Sequence, residues 1–63
     1  MKISIIGAGS WGTALAEVLV FNKHEVLIYD VDENTVDEIN NQHTNVTKLP
    51  NAKLSSSIVA TSR

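Results

Sequence analysis

The feature that most constrains this sequence is a glycine-rich turn between an apolar run and an amphipathic segment. Residues 7–12 read Gly-Ala-Gly-Ser-Trp-Gly and follow directly on Ile3-Ser4-Ile5-Ile6. A G-x-G-x-x-G spacing is weak evidence by itself, because glycines cluster in many loops. Between a predicted strand and a predicted helix, however, it is typical of the phosphate-binding turn of a dinucleotide-binding βαβ unit.

Each glycine of this turn has a geometric reason to be there. Gly7 would let the chain leave the strand in a conformation that a side chain disfavours. Gly9 would let the backbone approach a pyrophosphate, and Gly12 would let the helix lie close against the strand. The first N–H groups of that helix have no partners within it and lie at the positive end of its dipole, so they favour an anion. We expect the Ser10 hydroxyl to hydrogen-bond the cofactor and the Trp11 ring to cover it.

An acidic residue follows the second apolar run, Glu25–Tyr29. Asp30 stands about 20 residues past the glycine turn, where a carboxylate can accept hydrogen bonds from an adenosine ribose. It would repel a 2′-phosphate, and neither Val31 nor Asp32 supplies a positive charge to offset that repulsion. We therefore expect NAD to be preferred to NADP, with Val31 included in the cofactor site. Either aspartate could instead only cap the next helix; we assign Asp30 to the ribose and Asp32 to the cap.

The apolar pattern predicts that the first two elements are a strand and a helix. Lys2–Ile6 is apolar along most of its length, as expected of a parallel strand that is buried on both faces. The helix, Ser10–Phe21, ends near Asn22, which tolerates a left-handed conformation. It carries an apolar stripe at helical spacing, and we expect the stripe to pack in the core except at its first member, which lies in the turn. The members of the stripe are Trp11, Ala14, Leu15, Val18 and Leu19.

The later elements have weaker patterns. Residues 33–41 are predicted to form a second helix, in which only Val36 and Ile39 are clearly apolar. Residues 42–57 are polar and irregular, and Ile58–Thr61 would be the third strand. The predicted fold class is therefore α/β, the N-terminal part of a Rossmann NAD(P)-binding domain with a parallel β-α-β-α-β order.

Length and composition limit what the chain can do alone. Its 63 residues amount to one domain at most, and they include no cysteine for a disulfide or a metal cluster. A doubly wound sheet needs more strands, so residues 1–63 are interpreted as a partial dinucleotide-binding domain without its later units or a substrate domain. A net charge of -2 without a basic patch argues against nucleic acid as a partner. The apolar runs are too short to span a bilayer and no signal peptide is visible, so we expect a cytoplasmic protein.

The glycine turn extends into a more specific run, Gly7–Ala16, and a second specific spacing joins His43, Asn45 and Leu49-Pro50. Over nearly its whole length the chain resembles the N-terminal part of bacterial NAD(P)-dependent glycerol-3-phosphate dehydrogenases. The resemblance implies hydride transfer between glycerol 3-phosphate and dihydroxyacetone phosphate, in the synthesis of phospholipid precursors. It also implies that Ser10 and Trp11 contact the cofactor, and that the catalytic lysine lies in a later region, so this chain has no catalytic residue.

Three positions depart from the pattern of that family. Its members often have Trp-Gly and then a basic residue where this chain has Tyr29-Asp30-Val31, so a basic contact to a 2′-phosphate does not carry over. They often have Gly in place of Lys23 and Tyr in place of Lys48.

Other interpretations stay open at this point. Residues 29–33 resemble UDP-sugar and hydroxyacid dehydrogenases at least as well, although the stretch from His43 to Pro50 favours glycerol-3-phosphate dehydrogenases. A nucleotide-sensing regulatory domain uses the same turn and the same acid without performing chemistry. The turn could also join a strand to a helix with no ligand at all. The sequence does not decide between a monomer and a homo-oligomer.

Overall fold

In a computed structural model that describes all 63 residues, three parallel strands form one sheet and two helices connect them. Strand β2 lies between β1 and β3 and pairs in parallel with both. The predicted β-α-β-α-β order is confirmed. The elements are β1 (Lys2–Ile6), α1 (Ser10–Phe21), β2 (Glu25–Tyr29), α2 (Glu33–Gln42) and β3 (Val59–Thr61).

The element boundaries agree with the sequence pattern except at the end of α2, which extends one residue further to Gln42, and at the start of β3. That strand begins at Val59, because the Ile58 N–H donates to the Ser55 carbonyl at 3.1 Å within a turn. Residues 43–58, named here the α2–β3 loop, contain no helix or strand. Neither helix has the length and apolarity that crossing a membrane would require.

The hydrophobic core lies on one face of the sheet. Both helices contribute to it, α1 through Ala16 and α2 through Val36 and Ile39. The prediction that β1 is buried on both faces is wrong, since Lys2, Ser4 and Ile6 are exposed. Both helical connections pack on the same face and leave the other uncovered. The core consists of Ile5, Ala8, Ala16, Val26, Ile28, Val36, Ile39, Leu54, Ile58 and Ala60.

Helix α1 packs against the sheet by a different side from the one that its apolar stripe predicts. Its two buried residues are Thr13 and Ala16, each 0% exposed. Within the stripe, only Leu19 packs against the core. The prediction is wrong for the three stripe residues that are exposed, Ala14, Leu15 and Val18.

The close approach of α1 to the glycine turn explains this orientation. A Cβ atom on Gly12 would stand 2.3 Å from the Gly7 carbonyl oxygen and 3.1 Å from Cγ2 of Ile5. The first turn of α1 therefore touches β1 and the turn through bare backbone. At this short distance the inner side of α1 carries the compact residues Thr13 and Ala16 near the turn, and larger side chains such as Leu19 reach the core only further along the helix.

The end of α1 also differs from the prediction. Asn22 is the C-cap with φ -90, and the left-handed residue is Lys23 with φ 71. A left-handed conformation costs a non-glycine residue about 1–2 kcal/mol. Lys23 is the position at which the resembling family often has glycine. Glycine would adopt this left-handed conformation without the cost that lysine has there.

Helix α2 follows its sequence pattern closely. Asp32 is its N-cap, and the side chain accepts a hydrogen bond from the Asn34 N–H at 3.0 Å, which confirms the predicted cap. Val36 and Ile39, the two clearly apolar residues of the helix, are both buried. Asp32 therefore holds the start of α2 while two aliphatic side chains attach the helix to the sheet.

Candidate functional site

The glycine turn leaves main-chain amides uncovered where β1 leads into α1. A Cβ atom on Gly7, which has φ +100, or on Gly9 would meet no atom within 4 Å. Gly9 is the N-cap of α1, and no side chain caps the helix. The N–H groups of residues 9–12 donate no hydrogen bond to any acceptor in the chain. Open space and unpaired donors therefore occur together at one helix N-terminus.

This arrangement has the chemistry of a diphosphate site. A helix N-terminus favours an anion by its dipole and by its free N–H groups. One such dipole interaction contributes only about 0.3–1 kcal/mol, so several donors must converge on the same ligand. The space above Gly9 is the space that a Cβ atom would fill, which is the reason a dinucleotide-binding turn needs glycine there. The residues present fit a bound pyrophosphate.

Trp11 lies at the start of α1 outside the core, and the residue is 90% exposed. Together with Ser10 and Ala14 it lines a shallow surface depression. An exposed indole beside free backbone donors can pack against a bound group. The interpretation that Trp11 covers the cofactor stays a prediction.

Asp30 is held against the glycine turn from the end of β2. One carboxylate oxygen accepts a hydrogen bond from the Ala8 N–H at 2.7 Å, and the other accepts one from the Asp32 N–H at 2.8 Å. The bond from the Asp32 amide, followed by that from Ala8, keeps the pKa of Asp30 below its ordinary value. The carboxylate is thus ionised at neutral pH, and each oxygen keeps a lone pair for a ribose hydroxyl.

Val31 directly follows Asp30 and is exposed. Its side chain provides apolar surface next to the carboxylate that we assign to the ribose. The predicted site residues therefore lie in two neighbouring places, the turn at residues 7–12 and the end of β2 at residues 30 and 31.

Sequence reasoning missed a positive charge at this site. Lys48, in the α2–β3 loop, is close enough to Asp30 for its charge to help lower the pKa of that carboxyl, after the larger effects of the Asp32 and Ala8 amides. No basic residue follows Asp30 directly in the sequence, yet one lies near it in space. The residues that directly follow Asp30 in the sequence could not reveal Lys48, because the two residues come close only when the α2–β3 loop folds back to the turn.

Sequence reasoning also missed the residue that fastens this loop. Asn45 is 1% exposed, and its side-chain amide donates to the Ala8 carbonyl at 2.8 Å and to the Thr13 hydroxyl at 3.0 Å. The Ser10 hydroxyl donates to the Lys48 carbonyl at 2.6 Å. That bond occupies the hydroxyl proton and leaves the main-chain N–H of Ser10 for an anion. In the sequence, only the spacing of Asn45 from its neighbours was informative. That spacing indicated a family, but it did not show that the Asn45 side chain is buried against the turn.

The chain is similar over its whole length to the N-terminal part of one enzyme family. The family model described as NAD-dependent glycerol-3-phosphate dehydrogenase N-terminus matches residues 2–63. A protein from Leuconostoc mesenteroides named glycerol-3-phosphate dehydrogenase (NAD(P)+) is 52% identical over 61 residues, which are 97% of this chain and 18% of that protein.

Two solved structures from the same enzyme family are also similar to this chain. The crystal structure of glycerol-3-phosphate dehydrogenase from Coxiella burnetii superposes with a TM-score of 0.86 at 38% identity, over 95% of this chain and 18% of that one. The glycerol-3-phosphate dehydrogenase structure from Plasmodium falciparum superposes with a TM-score of 0.82 at 36% identity, over 100% of this chain and 20% of that one. The chain thus spans only 18–20% of the length of these relatives.

Proposed function

The chain belongs to the NAD-dependent glycerol-3-phosphate dehydrogenase N-terminal family, and on this basis we propose that it begins the dinucleotide-binding domain of such an enzyme. The whole enzyme would interconvert sn-glycerol 3-phosphate and dihydroxyacetone phosphate, in the cytoplasm, for phospholipid precursor synthesis. Residues 1–63 would form a partial Rossmann domain, followed by its later units and a substrate domain. The greater length of the relatives supports this division.

One observation carries the proposal. The free N–H groups of residues 9–12 lie beside open space above Gly9, and the ionised carboxylate of Asp30 is hydrogen-bonded to the same turn. A diphosphate and an adjacent ribose require these two features side by side. The family match favours a glycerol-3-phosphate dehydrogenase over a UDP-sugar or hydroxyacid dehydrogenase and over a nucleotide-sensing domain.

The work of this chain would be binding and orientation. When bound, NAD or NADP supplies the nicotinamide that accepts or delivers the hydride. The turn would hold its pyrophosphate by backbone donors, and the carboxylate at the end of β2 would hold the adenosine ribose. We assign no catalytic residue to this chain. The proposed cofactor-binding residues are Gly7, Gly9, Ser10, Trp11, Gly12, Asp30 and Val31.

Replacement of Gly9 by valine in the whole enzyme tests the proposal. Gly9 has φ -77 and ψ -176, an extended conformation that valine adopts readily, so the protein should fold normally. The new side chain would occupy the space of the pyrophosphate, and calorimetry should show that Gly9→Val no longer binds NADH. Ser56→Val, at an exposed position of the α2–β3 loop, is the matched control and should bind NADH normally.

Substrate identity needs a separate assay. NADH oxidation by the wild-type enzyme should be fast with dihydroxyacetone phosphate. It should be slow with other ketones, including the 2-oxo acids that a hydroxyacid dehydrogenase would reduce. Full NADH affinity in Gly9→Val would disprove the cofactor site. Normal NADH binding together with no turnover of dihydroxyacetone phosphate would disprove the assigned reaction.

A further inference from the structure

The α2–β3 loop is fixed to the turn that would hold the pyrophosphate. The buried Asn45 amide bonds the turn at the Ala8 carbonyl, and the Lys48 carbonyl accepts the Ser10 hydroxyl. The two bonds attach the loop to the turn and to the first residue of α1. The backbone of Lys48 is therefore held beside the start of α1, with its side chain exposed to solvent.

Asp30 is held at the same turn, because its carboxylate accepts a hydrogen bond from the Ala8 N–H, two residues before the Ser10 that bonds the Lys48 carbonyl. Hydrogen bonds from Asp32 and Ala8 lower the pKa of the Asp30 carboxyl most, and the charge of Lys48 lowers it further. The carboxylate oxygens are fixed by their own bonds to main-chain amides, whereas a lysine ammonium on its flexible stem can turn toward another anion. A negative and a positive group thus border the same region at the end of β2.

We propose that Lys48 is a specificity-determining residue that lets this site accept a dinucleotide with a 2′-phosphate on its adenosine ribose as well as one without. The inference rests on the proposed function, because it takes that ribose to lie at Asp30. Asp30 alone would repel the phosphate, and a charge-assisted hydrogen bond from the Lys48 ammonium offsets the repulsion. Lys48 is a position at which the chain departs from the family pattern, and the departure supplies a cation that Tyr29-Asp30-Val31 lacks.

The experiment compares the wild-type whole enzyme with Lys48→Met and with Lys53→Met. Methionine keeps the length of the stem and removes the charge, and the Lys48 main-chain carbonyl remains available to Ser10. Lys53 is an exposed lysine of the same loop and provides a matched loss of charge. Dissociation constants are measured by calorimetry for NADH and NADPH, and for 2′,5′-ADP and 5′-AMP, which report on the adenosine end without any turnover.

The wild type should bind both dinucleotides. Lys48→Met should weaken binding of NADPH and 2′,5′-ADP by about tenfold, the size expected for one hydrogen bond to a charged group. Its affinity for NADH and 5′-AMP should stay within about twofold, a difference of less than about 0.5 kcal/mol. Lys53→Met should leave all four constants unchanged.

Three outcomes would overturn the inference. The first is a wild type that binds NADH but not NADPH. The second is an equal loss of all four ligands in Lys48→Met, which would indicate a structural role for the loop. The third is an unchanged NADPH constant in that variant. A wild type that binds neither dinucleotide would instead refute the proposed function itself.

Discussion

Helices α1 and α2 pack on the same face of the sheet by different means. Helix α2 attaches through two branched aliphatic side chains, Val36 and Ile39. Helix α1 approaches through Thr13 and Ala16, and near its start it touches β1 through the bare backbone of Gly12. At the glycine turn the distance between α1 and β1 is set by the close approach of Gly12. The amount of apolar surface on the helix does not decide which of its sides faces the sheet.

The difference extends to the polar contacts. The inner side of α1 includes a buried hydroxyl that is paired with the Asn45 amide, whereas α2 is fixed at its start by the Asp32 cap. We therefore expect α1 to be sensitive to any added volume or lost hydrogen bond on its inner side, and α2 to be sensitive to lost aliphatic volume. Replacements in the full-length protein that we propose can test this contrast.

The largest effect is expected from Gly12→Ala. The added Cβ would stand 2.3 Å from a backbone oxygen, so β1 and α1 would have to separate. We expect a loss of about 4–5 kcal/mol in the free energy of unfolding and a loss of NADH affinity. Denaturant titration and calorimetry measure the two quantities. A loss of less than about 1 kcal/mol would show that the helix–strand distance is adjustable.

The next effect is expected from Ile39→Ala in α2. Ile39 is fully buried, and removing its side chain leaves a cavity that costs about 2–5 kcal/mol. NADH affinity should stay unchanged, because Ile39 is not among the proposed cofactor residues. Asp37→Ala, at an exposed position of the same helix, is the control for helix propensity. Equal stability of the two variants would remove the contrast between the helices.

Asn45→Ala should destabilise the protein by about 1–3 kcal/mol, because the Ala8 carbonyl and the Thr13 hydroxyl would lose a buried partner. The double variant with Thr13→Val should cost less than the sum of the single replacements, with a coupling of about 1 kcal/mol. Strict additivity in denaturant titrations would mean that the Thr13–Asn45 pair does not stabilise the inner side of α1.

A smaller effect is expected from Leu15→Ala on the outer side of α1. Leu15 is 48% exposed in this chain, and replacements at such positions usually change stability by less than about 0.5 kcal/mol. Comparison with Ile39→Ala in the same titration sharpens the contrast. A loss as large as that of Ile39→Ala would contradict the exposed position of Leu15 on the outer side of α1.

The smallest effect concerns pH. Glu38 of α2 accepts hydrogen bonds from the Thr44 hydroxyl and the Val46 N–H, and these bonds keep the pKa of its carboxyl below the ordinary value. This stabilisation is fully present above the ordinary pKa of glutamate, about 4.3, and is lost as the pH falls through the lowered folded value. The melting temperature should therefore fall less steeply in Glu38→Gln than in the wild type below that pH. Parallel curves would contradict this role.

The sequence predicted the parts of the molecule that local rules determine. Element order follows from the periodicity of apolar residues, and the Asp32 cap follows from its place before α2. The positions of the glycine turn and of Asp30 could also be found, because a dinucleotide-binding unit fixes their spacing.

The parts that failed depend on contacts between distant segments. The predicted orientation of α1 was wrong because the orientation depends on the space around Gly12. The periodicity of apolar residues in a helix carries no information about that space. The uncovered face of β1 follows from both connections packing on one side. The nearness of Lys48 to Asp30, and the burial of Asn45, arise only when the α2–β3 loop returns to the turn. In each case the segment was located correctly in the sequence, and the error came from tertiary contacts that the sequence pattern does not show.

Ala8 shows what this loop means for recognition. Its N–H is held by a carboxylate from the end of β2 and its carbonyl by an amide from the α2–β3 loop, so both of its polar groups are satisfied before any ligand arrives. The turn that we propose as the anion site is consequently ordered during folding, so little conformational entropy would be lost there on binding. The choice between ligands would then depend on exposed side chains beside the turn, such as that of Lys48.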